Sequence, residues 1–286
     1  MFCRPKISAR EPPAQAAHRI RAAGGRRSQL PFVMPVALTP AIVLSSLRYS
    51  ETSKIVRLAT RDLGVQSAIA KGALRPKSRF GAALQLLSEG QAQLYLKEHR
   101  ELHTLAAFDL IRVPVGIAGD LERYAVASAL AEVMLRFAPA DPHPESFDLL
   151  RDALAALEAA PATDVQAAGL RAVWRLVSAL GFSPSLDHCV HCGAIVDPAG
   201  EVAFSSGDGG VVCGDCSGPS APVRLPERAR RDLAALLAPA GPLPLLDFPH
   251  YVAHQRLLGR YVRYHLGEGA ELPALDFWTR RPWEAR

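Results

Sequence analysis

Between Pro40 and Leu110, apolar and polar residues alternate in short runs separated by turn formers, the pattern of half-buried strands. Five runs carry it: Ala41–Leu47, Lys54–Thr60, Val65–Lys71, Ala92–Lys97 and Leu102–Asp109. The breaks are Tyr49-Ser50-Glu51, Arg61-Asp62-Leu63-Gly64 and the stretch from Gly72 to Gly81, all rich in residues that favour turns. Short strands at this density predict a small barrel of the OB type, which closes its edges and offers one face to nucleic acid. Periodicity alone is equally compatible with a small sandwich or another barrel.

After Pro114 the period becomes helical. Leu121–Phe137 is rich in Ala and Leu, and Phe147–Leu157 sets Leu150, Ala153, Leu154 and Leu157 on one face. Thr163-Asp164-Val165-Gln166 reads as a capping box, in which the Thr hydroxyl and the Gln side chain satisfy backbone N–H groups reciprocally. Leu170, Val173, Trp174, Val177 and Leu180 follow at helical spacing, and Gly181 can end the helix in the left-handed conformation. Two more helices are predicted over Glu227–Leu237 and His250–Leu266. The expected fold class is α+β: an N-terminal five-stranded OB-like barrel over residues 36–110, then an α-helical bundle over residues 111–286 that contains a four-cysteine zinc ribbon at 187–218.

The ribbon rests on Cys189-Val-His-Cys192-Gly193 and, after twenty residues, Cys213-Gly-Asp-Cys216. Two such pairs match sites that hold one structural zinc ion with four thiolates. Val202-Ala203-Phe204 and Gly210-Val211-Val212 predict the two strands between them. A segment this short buries too little core to fold unaided, whereas zinc contributes about 10–16 kcal/mol to such modules. Disulfides would need an oxidising compartment. His188 or His191 could serve as a ligand, but four sulfurs already complete a tetrahedron and leave no open position for catalysis. His143-Pro144-Glu145 ahead of the cysteines resembles a zinc deaminase signature, yet the proline that should precede a cysteine pair is missing.

Charge divides the chain. Its formal net of +5 is the sum of a net +6 in residues 1–33, a net +4 in residues 36–109 (ten Lys/Arg, six Asp/Glu) and a net −5 in residues 110–286 (sixteen against twenty-one). A polyanionic partner should therefore meet the first folded domain. There, Lys71, Arg75, Lys77 and Arg79 place four cations in nine residues among Gly72, Pro76 and Ser78, a loop able to follow a phosphate backbone, although a solvated basic loop explains them equally well. Aromatics that could stack on unpaired bases are few: Phe80, Tyr49 and Tyr95. Arg256, Arg260 and Arg263, beside Leu257, Leu258 and Tyr261, could rim a docking groove for an acidic peptide, although a solvated helix face explains them too. Arg224, Arg228 and Arg231 share helical spacing, though Arg224 and Pro226 precede the expected helix start, while His250 and His254 lack a third ligand and read as ordinary core or surface histidines.

Residues 1–35 read as a disordered basic extension that carries Cys3, with Met34 as an alternative initiator. With no signal peptide and no apolar run near the roughly 18 residues a membrane span needs, the cytoplasm is the expected location. Neither GxxxxGK[ST] nor GxSxG occurs, so neither nucleotide-driven nor acyl-transfer chemistry is expected.

The order of these parts resembles the bacterial DNA repair protein RecO family. Tyr49-Ser50-Glu51-Thr52-Ser53-Lys54-Ile55-Val56 with Thr60–Gly64 looks like that family's opening strands, and Ala70–Ala73 through Lys77–Phe80 like its basic loop. Leu180–Leu186 running into Cys189–Gly193, and Gly209–Cys213, resemble its zinc region; the similarity covers about Val36 to Trp278. The resemblance implies a non-enzymatic recombination mediator that binds single- and double-stranded DNA and anneals complementary strands. It also implies help in loading recombinase onto coated single strands, working with RecR and contacting the acidic C-terminal tail of the single-stranded DNA-binding protein at the nucleoid. A zinc-ribbon adaptor without DNA contact is the alternative.

Overall fold

The computed structural model describes residues 36–97, 99–139, 141–218, 223–266 and 271–281; the basic extension, Met34 and Cys3 lie outside them. Strands β1 (Val36–Arg48), β2 (Lys54–Thr60), β3 (Gly64–Ala70), β4 (Glu89–Tyr95) and β5 (Leu102–Arg112) form a closed barrel in the order β1-β2-β3-β5-β4. All pairings are antiparallel except β3 with β5, the parallel step that closes the ring. Both β1 and β5 run longer than the alternation predicts. In β1, Ala41 and Val43 point into the barrel with Leu58, Ala68 and Leu94, while Ile42 and Leu44 belong to the core shared with the helices. Burial on both faces is why Ala41–Leu44 reads as an uninterrupted apolar run.

Gly90 sits where β4 comes closest to β5. A Cβ there would lie 2.5 Å from the Asp109 carbonyl oxygen and 2.6 Å from Phe108 Cε1. Gly90→Ala is therefore expected to cost about 1–3 kcal/mol through overpacking, measured as a lower denaturant midpoint in urea.

The helices follow as α1 (Val115–Ala118), α2 (Leu121–Phe137), α3 (Pro144–Ala159), α4 (Val165–Ala179), α5 (Glu227–Leu237), α6 (Phe248–Leu266) and α7 (Pro273–Arg280). Between α4 and α5, strands β6 (Val202–Ser205), β7 (Gly210–Val212) and β8 (Arg224–Leu225) build a small sheet in the order β7-β6-β8. Helix α2 is buried around most of its circumference, with Ala125, Val126, Ala129, Leu130, Val133 and Met134 all in the core. Its N-terminus is capped by Asp120, whose carboxylate accepts from the Arg123 N–H at 2.9 Å. The turn after β2 is tied to α3 by the Arg61–Asp148 ion pair, 3.0 Å long. No helix among the described residues is long and apolar enough to cross a membrane.

One local expectation is corrected, and two helices are added to those expected. The capping box at Thr163–Gln166 does not form. The chain already turns at 161–164, through the Asp164 N–H to the Pro161 carbonyl, so Asp164 becomes the N-cap; the Thr163 hydroxyl donates to the Asp164 carboxylate, and no side chain caps the helix. Arg224 lies ahead of the helix, as expected, and is a strand residue opposite Ala203; the helix starts only after Pro226. Helices α1 and α7 were not anticipated. The stop at Gly181 does form: its φ is +96°, and the Gly181 and Phe182 N–H groups donate to the Ser178 and Val177 carbonyls, a Schellman motif.

Candidate metal centre and basic surfaces

The first cysteine pair sits on a tight hairpin. The Val196 N–H donates to the Asp187 carbonyl, the Cys189 N–H to Ala194 and the Gly193 N–H to Cys189, and Gly193 adopts a φ of +73° that suits a residue without a Cβ. The second pair turns after β7, where the Ser217 N–H closes on the Cys213 carbonyl at 2.8 Å. The two turns are brought together by the Val190 N–H bonding to the Val211 carbonyl, while Ser185 bonds to Gly209 and Val211.

All four sulfurs lie within 4.8 Å of one another, and Cys192 Sγ is 3.7 Å from Cys213 Sγ. That is far beyond a disulfide bond of about 2.05 Å. It matches the sulfur–sulfur edge of roughly 3.8 Å expected when four thiolates surround an ion at about 2.3 Å. The electrostatics agree with such a donor set. Backbone N–H groups of Cys213 and Cys192 stabilise the Cys189 thiolate and bring its pKa down to about 6. Hydrogen bonding to Cys213, then Cys192, pushes Cys216 up to about 12, since neighbouring thiols cannot all ionise without a cation among them. His191 turns away and meets Asp208 at 3.1 Å. This is the one metal-capable cluster among the described residues. His254 is buried in the core, and His250 bonds to Asp247. His143 caps α3, its Nδ1 accepting from the Ser146 N–H at 3.2 Å.

The predicted cationic loop leaves β3 at the end of the barrel opposite the Arg61–Gly64 turn that meets the helices. Lys71, Arg75, Lys77 and Arg79 are all exposed, and none makes an ion pair among the described residues. Register adds two cations that the sequence reading missed. Arg48 and Lys54 are cross-strand partners, and Lys54 is also opposite Ala70, one residue before Lys71. Like charges placed directly opposite destabilise a sheet, and a bound anion relieves that. Only Glu51 and Asp62 are acidic between positions 48 and 79. Tyr49 is 60% exposed at this end, whereas Phe80 is only 2% exposed and packs in the barrel core. Phe80 is thus removed from the stacking candidates; Arg79 lies over its ring, 5.1 Å from the centroid.

Arg256, Arg260 and Arg263 do line a cavity, of about 870 Å³. Its composition differs from expectation. Leu257, Leu258 and Tyr261 face the core, and the apolar wall is Phe248 and Val252 instead. The opposite wall is the end of α7. Arg263 is bound to Asp276, which also takes Arg280 at 3.1 Å, so Arg256 and Arg260 are the two of the three without an ion pair among the described residues.

The family models for "Recombination protein O N terminal" and "Recombination protein O C terminal" match residues 34–114 and 118–272. The chain is 36% identical over 235 residues to the DNA repair protein RecO of Anaeromyxobacter dehalogenans, covering 79% of this chain and 90% of that one. It is 32% identical over 242 residues to the DNA repair protein RecO of Pelobacter propionicus, covering 83% and 94%. A barrel, a helical bundle and a four-cysteine cluster are therefore seen together with both halves of one family's pattern, and the chain belongs to the RecO family of DNA repair and recombination proteins.

Proposed function

We propose that this protein is a non-catalytic recombination mediator that binds single- and double-stranded DNA through the free end of its barrel. It anneals complementary strands and helps load recombinase onto coated single strands, acting at the nucleoid together with RecR. The observation that carries this reading is the cluster of Lys71, Arg75, Lys77 and Arg79 beside Arg48 and Lys54, exposed in a chain whose helical half is net negative. Annealing needs neutralised phosphates and accessible bases, and no general acid, base or nucleophile. The four cysteines would hold one structural zinc ion, which supplies a rigid tetrahedral crosslink and no reactive position. In the cavity beside α6, Arg256 and Arg260, with Arg263 held by Asp276, would receive the acidic C-terminal tail of the single-stranded DNA-binding protein.

Fluorescence anisotropy with a single-stranded oligonucleotide tests the DNA site. Four to six phosphate contacts give a log-affinity against log-salt slope of about −3 to −4, at roughly 0.7 per contact. The Lys71/Arg75/Lys77/Arg79 alanine variant is expected to lose about 3 from that slope and at least about tenfold in affinity. Unchanged affinity and slope would remove the proposed surface and favour a zinc-ribbon adaptor that meets only protein partners.

A further inference from the structure

Helix α5 carries Arg230, which is 4% exposed. Its guanidinium faces backbone carbonyls. Nε and Nη2 donate to the Leu186 oxygen at 3.0 and 2.6 Å, Nη2 also donates to Val196 at 3.0 Å, and Nη1 donates to Asp197. Leu186 is where the chain enters the Cys189–Cys192 hairpin, and Val196 and Asp197 are where it leaves. One rigid fork therefore pins both legs of the turn that aims the first two sulfurs. Among the described residues the one carboxylate paired with it is that of Asp187, 4.0 Å away on a side chain 86% exposed, so it screens the buried charge poorly.

From this we infer that Arg230 is the positioning residue of the metal centre: it sets the hairpin for metal binding from outside the ligand shell. Groups that orient ligands in this way typically change metal affinity by about 10–100-fold when removed. A lysine keeps the charge but offers no planar fork, so it cannot hold both legs at once. The inference rests on the zinc reading of the four cysteines.

The test uses the full chain, stripped of metal and titrated with Co²⁺, whose thiolate absorption bands report binding directly. Arg230→Met is expected to weaken the Co²⁺ dissociation constant by about 10–100-fold, Arg230→Lys by less, and the exposed neighbour variant Arg231→Ala not at all. A role confined to packing would lower the melting temperature of Arg230→Met while leaving the cobalt constant of the folded protein unchanged, and that result overturns the inference. If Arg230→Met fails to fold, Arg230→Lys decides: a wild-type cobalt constant overturns it, and a several-fold loss supports it. A wild-type chain that takes up no cobalt would overturn the metal reading itself, and this inference with it.

Discussion

Cys213→Ser is expected to release its segment from the helical bundle, lowering the melting temperature of the bundle by more than about 10 °C. The size follows from comparison. Zinc contributes about 10–16 kcal/mol to small modules of this kind, as much as the roughly 5–15 kcal/mol that stabilises a whole domain. The loss would not stay local, because Val202, Phe204 and Val211 are buried in the same core as Trp174, Tyr251 and Tyr261. The Phe204 ring is 6.2 Å from that of Tyr261, which in turn is 5.2 Å from Trp174. Near-ultraviolet circular dichroism should therefore lose aromatic signal together with the metal. The barrel keeps a separate interior of Val43, Leu58, Leu94 and Leu105, and its strand signal should persist to higher temperature. On the zinc reading, treating the wild type with a strong chelator should reproduce the effect and expose all four thiols to a thiol reagent. A metal-free chain that melts unchanged would mean that apolar packing alone holds the ribbon.

What could be read beforehand was whatever depends on neighbours in sequence. Gly181 ends its helix as expected because a left-handed residue after an apolar stripe is a local requirement. The convergence of the two cysteine pairs was legible because each CxxC turn aims its two sulfurs at one point, a local requirement of spacing. Register was not, and it is what places Arg48 beside Lys54 at the basic end of the barrel. Thr163 carried a good local signal that lost to the turn at Pro161, where one residue of offset moves the cap. The arginine stripe on α6 was visible, but Asp276, which takes up Arg263, lies on a helix of only eight residues that periodicity does not detect. The same is true of Arg230. In sequence it is one of three arginines within four positions, and only the tertiary approach of the cysteine hairpin separates it from Arg228 and Arg231.

Glu122→Ala is expected to cost about 3–5 kcal/mol in stability, the loss seen when one partner of a buried ion pair is removed. Glu122, at the start of α2, accepts from the Tyr251 hydroxyl at 2.6 Å and the Trp278 indole N–H at 3.1 Å, and it pairs with Arg281 at 2.8 Å. The side chains of Glu122 and Arg281 are only 15% and 6% exposed. Burial, and then the charge of Glu122, hold the Tyr251 hydroxyl pKa well above its ordinary value, so it stays a donor. Arg281 also covers the Tyr251 ring at 4.8 Å and the Phe248 ring at 5.5 Å. One carboxylate thus binds α2, α6 and α7 together at the rim of the cavity that holds Arg256 and Arg260. Glu122→Gln keeps the shape without the charge and should lose less. Arg61→Ala, which breaks a solvent-screened pair with Asp148, should lose far less than either. Urea denaturation separates the three. The alanine variant should also bind an acidic peptide more weakly than the glutamine variant does, since the wall formed by α7 would be loosened. A Glu122→Ala protein within about 1 kcal/mol of the parent would show that Leu275 and Trp278 hold α7 by apolar burial alone.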